Sequence, residues 1–156
     1  MSDGPIFTGD APKPVGAYPN AYRVGNLIFV SGVGPRHPTD DNVVGGPIHD
    51  ADGKPLDYDV GAQTRQVIEN IKAILEEAGS SLENVVDVLT FLVNMKRDFE
   101  GYNKVYREYF ETILAARTTV AITALPTPIA VEMKVVAKVE GDVETIPQAE
   151  LLGHML

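Results

Sequence analysis

Residues 60–75, VGAQTRQVIENIKAIL, decide the fold, because their apolar positions repeat every three or four residues and only an α-helix brings such positions to one side. The predicted buried stripe consists of Val60, Thr64, Val67, Ile68, Ile71, Ile74 and Leu75. Asp57 or Asp59 can cap the start of this helix, and Gly79 stands where a helix ends in the left-handed conformation. We therefore expect an amphipathic helix with one buried face.

The chain before this helix is rich in proline, and the chain after it is not. Eight of the 11 prolines lie at or before Pro55, and the next one is Pro126. Because proline interrupts helices, the first third should consist of strands, turns and loops. We expect an irregular segment over residues 1–17 and a long excursion over residues 34–59, with a short strand near Val43-Val44.

The remaining patterns predict five strands and a second helix. The predicted strands are rich in β-branched and apolar residues and comprise residues 21–24, 27–30, 85–93, 117–123 and 131–139. Gly25-Asn26 tolerates positive φ, which predicts a tight hairpin turn between the first two strands. The second helix should begin at Asp98 as its N-cap. Its apolar side consists of Phe99, Tyr102, Val105, Tyr106, Tyr109, Phe110 and Ile113, a stripe typical of core packing.

The element order is strand–strand, helix, strand, helix, strand–strand. This order indicates an α+β fold in which two helices pack on one face of a mixed sheet. A length of 156 residues fits a single domain over 1–156, with its core at about 16–140. Residues 141–156 form a tail of mixed character, either a short helix docked on a neighbour or a segment without fixed structure.

Composition excludes several classes of protein. The formal net charge of −9 argues against a nucleic-acid binder, which needs a dense basic surface. The absence of cysteine excludes disulfides, thiolate metal sites and thiol nucleophiles, and it suits a reducing compartment. No apolar run approaches a membrane span, and the amino terminus lacks the features of a signal peptide. We expect a cytoplasmic protein with no nucleic-acid or membrane partner.

Common cofactor and nucleophile motifs are incomplete in this sequence. The three histidines have no second ligand at metal-binding spacing, so no metal site is predicted. Gly32-Val33-Gly34 begins a dinucleotide-like pattern, but His37 stands at the third glycine position. Ser31 lacks the glycine-flanked turn of a hydrolase nucleophile.

Arg117 and Glu132 are the remaining candidates for chemistry. Arg117 opens a strand face shared with Thr119, and its planar guanidinium can bind a carboxylate through two hydrogen bonds. Glu132 lies on the polar side of the last strand and can act as general base for a water molecule. On the residues alone, the better interpretation is that both are solvated or salt-bridged strand side chains.

The sequence from about Gly16 to Val139 resembles the reactive intermediate deaminase family, also called RidA/YjgF. The matching segments occur in the family's order: residues 16–21 (GAYPNA), 24–32 (VGNLIFVSG) and 63–75 (QTRQVIENIKAIL), then Ala116-Arg117, Leu125-Pro126 and Val131-Glu132-Met133. The resemblance implies a fold like that of the trimeric chorismate mutase, with three chains forming a central barrel. It further implies sites in the clefts between subunits of this homotrimer.

The resemblance also implies an activity, the hydrolysis of an enamine or imine with release of ammonia, without metal or organic cofactor. Arg117 would bind the substrate carboxylate, and Glu132 would position or activate the attacking water. Ser31 and Gly32 would shape the pocket, and Tyr18 would close one side of it.

Some positions depart from the common family pattern. Thr119 stands where many relatives carry cysteine, Arg97 stands where asparagine often precedes Asp-Phe, and the 34–59 excursion is longer than usual. The long excursion, together with the run Phe91-Leu92-Val93-Asn94-Met95, resembles the 2-aminomuconate deaminase branch, whose substrate carries two carboxylates. We therefore expect deamination of 2-aminomuconate or a similar unsaturated amino diacid, with Arg97, or else Arg36, near the second carboxylate.

Two other functions stay open. One is a general deaminase of 2-aminoacrylate-type enamines, which keeps the chemistry and changes the substrate. The other is a ligand-binding regulatory trimer without catalysis, since family members have also been assigned binding roles. A ribonuclease role fits poorly with the net charge of −9.

Overall fold

The computed structural model describes residues 2–139, so the predicted tail at 141–156 lies outside the described residues. The strands are β1 (Gly4–Ile6), β2 (Ala21–Val24), β3 (Leu27–Val30), β4 (Val85–Leu92), β5 (Ala116–Ala121) and β6 (Val131–Lys138). The helices are α1 (Val60–Glu77) and α2 (Met95–Phe110), with a single turn of 3-10 helix at Leu82–Asn84. The predicted order of helices and strands is therefore confirmed from Ala21 to Lys138, and β1 is an additional strand.

The strands form one mixed sheet in the order β1-β2-β3-β6-β4-β5. The β4–β5 pair is parallel, and the other neighbouring pairs are antiparallel. The chain crosses from β4 to β5 through α2, as a parallel connection requires. This arrangement puts β6 between β3 of the β2–β3 hairpin and β4, so both edges of β6 are paired.

The predicted irregular segment over residues 1–17 is partly wrong, because Gly4–Ile6 forms the edge strand β1. Gly4 pairs with Arg23 and Ile6 with Ala21. Pro5 is compatible with this place because an edge strand leaves one side without hydrogen bonds. A three-residue strand has no periodic pattern that the sequence could reveal.

Helix α1 has the predicted start and end. The Asp59 carboxylate accepts a hydrogen bond from the backbone N–H of Ala62 and caps the helix. Gly79, just past the last turn, adopts the left-handed conformation with φ of +79°. The predicted stripe is buried, and its isoleucines, valines and leucine pack against the sheet.

Helix α2 begins earlier than predicted, so the N-cap at Asp98 is wrong. The helix begins at Met95, and the side chain of Asn94 caps it by accepting a hydrogen bond from the Arg97 N–H at 3.0 Å. Asp98 instead lies in the first turn and is fully buried. Its carboxylate accepts hydrogen bonds from the side chains of Tyr58 and Arg97. The role of Asp98 therefore depends on a contact with a residue distant in the sequence.

Strand limits differ slightly from the predictions elsewhere. β5 covers residues 116–121 in place of 117–123, and β6 ends at Lys138. The expected strand near Val43-Val44 is reduced to a single bridge between Arg36 and Val43. The turns of the 34–59 excursion limit pairing there to isolated bridges.

The two faces of the sheet differ in their surroundings. The face covered by the helices carries the core side chains Ile28, Val30, Val85, Val88, Leu92, Val131, Met133, Val135 and Ala137. A bulge between Val85 and Asp87 keeps both Val85 and Val88 on this covered face. The opposite face, here called the open face, presents the exposed Tyr22, Val24, Leu27 and Phe29.

Candidate functional site

Glu132 projects from the open face of β6, where it pairs in register with Phe91 of β4. The carboxylate is half-buried against the backbone of Gly32. Burial raises the pKa of Glu132 above the usual glutamate value, and the positive charge of Lys134 opposes this rise. Within residues 2–139 the carboxylate makes no hydrogen bond or salt bridge that would fix it as a structural group. Glu132 therefore combines partial burial with free acceptor capacity, as a general base requires.

Gly32 and Ser31 form an irregularity in the pairing of the chain with β6. Phe29 pairs with Val136 and Val33 with Met133, so the chain advances four residues opposite three of β6. Such a bulge turns side chains away from the regular pleat. It brings the Gly32 backbone against the Glu132 carboxylate, so that a side chain at this position would displace the carboxylate.

Ser31 connects this bulge to the preceding loop, residues 12–20, here called the Tyr18 loop. Its hydroxyl donates a hydrogen bond to the Pro19 carbonyl at 2.7 Å, and its N–H donates to the Asn20 carbonyl at 3.0 Å. Ser31 thus holds the loop beside the bulge, and its hydroxyl is already engaged.

Tyr18 stands at the tip of the Tyr18 loop and is 42% exposed. Its hydroxyl accepts a hydrogen bond from the Val15 N–H, and its ring lies over Gly16. The exposed ring can therefore close over a bound molecule.

Two adjoining cavities meet around the bulge. One, here called the Glu132 cavity, is lined by Glu132, Tyr18, Gly32, Arg36 and neighbouring residues. The other is lined by Ser31 as well as Tyr18, Gly32 and Arg36. The structure thus brings four of the predicted site residues together, namely Tyr18, Ser31, Gly32 and Glu132.

Arg117 lies at the edge strand β5 on the face covered by the helices. Its Nη1 donates to Asn103 Oδ1 at 2.8 Å, and its guanidinium carbon lies 4.6 Å from the centre of the Tyr106 ring. The Tyr102 ring is 5.6 Å away, so two rings of α2 support the guanidinium. Within residues 2–139 no acidic side chain pairs with Arg117, which leaves donors for a carboxylate.

Thr119 shares the face of Arg117, as strand alternation predicts. It pairs in register with Thr90 and, together with Arg117, Met95 and Phe99, lines a shallow open pocket. Arg117 and Thr119 thus form a second group of predicted site residues.

The sheet separates these two groups within one chain. Arg117 pairs with Val88 and Glu132 pairs with Phe91, and these two β4 residues point to opposite faces because their separation is odd. β4 also lies between the two strands that carry them. A single chain therefore does not bring Arg117 and Glu132 to one bound molecule.

Arg97 belongs to neither group. Its guanidinium donates to Asp98, Asp57 and the Tyr58 carbonyl, and it lies 3.7 Å from the centre of the Tyr58 ring. Tyr58 in turn donates from its hydroxyl to Asp98 at 2.6 Å. The cluster ties the 34–59 excursion to the first turn of α2.

Three contributors to the site were not predicted from the sequence. Asn103 and the rings of Tyr102 and Tyr106 support Arg117, although the stripe on α2 indicated only core packing. Tyr106 lies three residues after Asn103 and four after Tyr102, and this spacing is a usable signal once β5 is known to lie beside α2. Arg36 was considered for a second carboxylate, but no sequence pattern links it to Glu132.

The described part of the chain offers no cluster of metal-binding side chains. This finding is limited to residues 2–139, so His154 is not covered by it. Among the same residues, no helix combines the length and apolarity needed to cross a membrane.

The fold and the two groups of residues define a small α+β protein in which two helices cover one side of a mixed sheet. Residues 8–139 match the family described as Endoribonuclease L-PSP. The chain belongs to this family, which is also known as RidA/YjgF or RutC, and the resemblance noted in the sequence is thereby confirmed.

Individual relatives support the same assignment. A RutC family protein of Pyrococcus abyssi is 44% identical over 137 residues, covering 88% of this chain and 98% of that protein. A 2-iminobutanoate/2-iminopropanoate deaminase of Dermatophagoides farinae is 33% identical over 135 residues, covering 86% of this chain and 95% of that protein. The crystal structure of RidA from an Antarctic Psychrobacter matches with a TM-score of 0.74 and 34% identity, over 86% and 98% of the two chains. These matches identify the family and not a branch within it.

Proposed function

We propose that the protein hydrolyses imines and enamines of 2-amino acids to the corresponding 2-keto acids, with release of ammonia. The observation that carries this proposal is the half-buried Glu132 carboxylate, which faces a cavity beside Tyr18 and accepts no hydrogen bond from any of residues 2–139. The relative named 2-iminobutanoate/2-iminopropanoate deaminase supports the substrate class.

The chemistry needs one positioned water and one proton acceptor. An imine carbon is electrophilic, so a water molecule that loses a proton to Glu132 can add to it. The protonated Glu132 then gives this proton to the nitrogen, which yields a carbinolamine. Glu132 next takes the proton of the new hydroxyl group and passes it to the nitrogen, so that the carbon–nitrogen bond breaks, ammonia leaves and the ketone forms. A carboxyl group whose pKa is raised by burial serves both steps better than a fully solvated one.

Arg117 would hold the substrate carboxylate, which requires a second chain. Because Arg117 and Glu132 lie on opposite faces of one sheet, the proposal places Arg117 of one chain beside Glu132 of its neighbour. The exposed apolar side chains of the open face, such as Phe29 and Leu27, support association of several chains through this face. A homotrimer with shared sites, as the family resemblance implies, would bring Arg117 of one chain to Glu132 of the next and would cover the apolar side chains of the open face.

A diacid such as 2-aminomuconate is the second candidate substrate, and one observation favours it. A second arginine, Arg36, lines the Glu132 cavity. Arg97, which was expected first for this role, already donates to three partners and does not line this cavity.

The decisive experiment measures ammonia release. An amino-acid oxidase generates 2-iminopropanoate from alanine, and wild-type protein should accelerate its conversion to pyruvate and ammonia. Arg117→Ala and Glu132→Gln should each lower the rate at least about 100-fold. Equal rates in all three proteins would remove these residues from the mechanism. Retained binding of 2-keto acids without any acceleration would favour a ligand-binding regulatory protein.

A further inference from the structure

We propose that Arg36 is the specificity-determining residue of the Glu132 cavity and selects substrates that carry a second carboxylate at the far end of their side chain. Asp41 is the counter-ion of Arg36 within the chain, and the substrate carboxylate takes the place of Asp41. This inference rests on the proposed deaminase function and names the substrate class within it.

The position of Arg36 supports this role. It lines the Glu132 cavity and also the adjoining cavity that contains Ser31. Its side chain is only 18% exposed, which is low for a cation that pairs at the protein surface. In a chain with net charge −9, a sheltered arginine that lines the same cavity as Glu132 gives an anionic side chain a specific place to bind.

The backbone around Arg36 is held in place from α1. Asn70 is buried, and its amide nitrogen donates hydrogen bonds to the carbonyls of both Gly34 and Arg36. The Nη2 atom of Arg36 donates to the Lys13 carbonyl at 2.8 Å. One side of the guanidinium is therefore fixed to the protein, and the backbone that carries it cannot drift from the cavity.

The other side of the guanidinium is bound to a group that can be displaced. Nη1 of Arg36 donates to Asp41 Oδ1 at 3.0 Å, and the Asp41 side chain is 64% exposed. An ion pair with so exposed a partner contributes little in water, because both charges lose solvation when they meet. A substrate that Arg117 already holds by one carboxylate loses little further freedom when its second carboxylate binds Arg36. This second carboxylate can therefore replace Asp41.

Arg97 does not compete for this role. It donates to Asp98, Asp57 and the Tyr58 carbonyl, and Asp98 is fully buried. Displacing a buried partner would leave an uncompensated charge, whereas displacing the exposed Asp41 does not.

The experiment compares two imines that differ by one carboxylate. Amino-acid oxidases generate 2-iminopropanoate from alanine and 2-iminoglutarate from glutamate, and KM and kcat are measured for each with wild type, Arg36→Met and Arg36→Lys. For Arg36→Met, KM for the diacid imine should rise about 10- to 100-fold, the range expected for a lost charge-assisted hydrogen bond. KM for the monoacid should rise far less, and Arg36→Lys should fall between wild type and Arg36→Met for the diacid.

Arg65→Met is the matched control, because Arg65 also forms an exposed ion pair, with Glu108 at 2.7 Å, and lines neither cavity. Its two KM values should equal those of wild type. Product binding is measured in parallel by calorimetry with 2-oxoglutarate and pyruvate, which does not depend on turnover.

The outcomes separate the two proposals. If neither imine is hydrolysed faster than in buffer, the deaminase function fails, while weaker binding of 2-oxoglutarate alone to Arg36→Met would still support the role of Arg36. If Arg36→Met changes KM for the two imines by the same factor, and binding of the two products by the same factor, the selectivity proposal fails although the deaminase function stands.

Discussion

Gly32 and Glu132 are in such close contact that a Cβ atom built on Gly32 would lie 2.7 Å from Glu132 Oε2 and 2.8 Å from its Cδ. Glycine is needed here for space and not for an unusual φ angle. The contact sets the position of the carboxylate, because the bulge at residues 31–32 carries the backbone against it.

Gly32→Ala should lower kcat about 10- to 100-fold without loss of folding, since a displacement of about 1 Å in a catalytic group has effects of this size. The Glu132 carboxylate is the end of a flexible side chain, so it can rotate away from the new methyl group at small cost. Gly9→Ala is the control, because a Cβ atom at Gly9 meets nothing within 4 Å. An unchanged kcat in Gly32→Ala would show that the position of Glu132 is not critical.

Glu132→Gln should abolish most of the activity and stabilise the fold at neutral pH. The pKa of Glu132 is raised in the folded chain, so between the ordinary glutamate pKa of 4.5 and the raised value the folded state binds more protons than the unfolded state. Stability of the wild type therefore falls as pH rises through this window, and glutamine removes the loss. Thermal unfolding at pH 4 and pH 8 should show a higher Tm for the variant only at pH 8. A lower Tm at pH 8 would indicate a structural role for the carboxylate.

The same pKa shift predicts the pH dependence of the reaction. The rate should fall on the acidic side as Glu132 becomes protonated, with a midpoint above that of an ordinary glutamate, because the base must be ionised to accept the proton of water. The pH profile of kcat for 2-iminopropanoate checks this expectation. A flat acidic limb down to pH 4.5 would contradict it.

Arg117→Lys should raise KM about 10-fold and change kcat less, because lysine keeps the charge and loses the two-donor geometry. Asn103→Ala should raise KM about 3- to 10-fold through the loss of one hydrogen bond to Arg117. Arg107→Lys, on an exposed part of α2, is the control. Asn103→Ala with KM unchanged would show that the rings of Tyr102 and Tyr106 suffice to hold Arg117.

Mixing two inactive variants tests whether sites are shared between chains. Arg117→Ala and Glu132→Gln, unfolded together and refolded as a mixture, should regain about a quarter of wild-type activity, because random assembly pairs an intact Arg117 with an intact Glu132 at one site in four. The separately refolded variants should stay inactive. No recovery in mixed assemblies, with their composition verified by mass spectrometry, would place both residues at a site within one chain.

Tyr58→Phe should lower the free energy of unfolding by about 1–3 kcal/mol, since Asp98 is fully buried and loses a hydrogen-bond donor. Burial and the neighbouring Asp98 raise the pKa of Tyr58 to about 12, so wild-type stability should decline as pH rises from 10 towards 12. Urea unfolding at pH 7 and pH 11 measures both effects, with Tyr22→Phe as an exposed control. Equal stability of Tyr58→Phe and wild type at pH 7 would contradict the importance of this contact.

The local patterns predicted much of the fold because they reflect local physics. The stripe over residues 60–75 and the capping Asp59 act within one helix, so their effect is visible in the sequence. Asp98 misled the prediction because an aspartate can cap a helix or accept hydrogen bonds from distant side chains. The choice depended on Tyr58, which lies 40 residues away and donates to it.

The sequence by itself determined the α+β order of elements, the candidate roles of Arg117 and Glu132, and the family resemblance, because these depend on residue types at fixed spacing. Only the tertiary structure decided that Arg117 and Glu132 lie on opposite faces of the sheet, since this depends on strand register and on β4 lying between β5 and β6. Likewise, only the packing of the 34–59 excursion decided that Arg36 lines the cavity of Glu132 while Arg97 does not. Arg36 and Arg97 differ in their acidic partners, because Asp41 is exposed whereas Asp98 is fully buried.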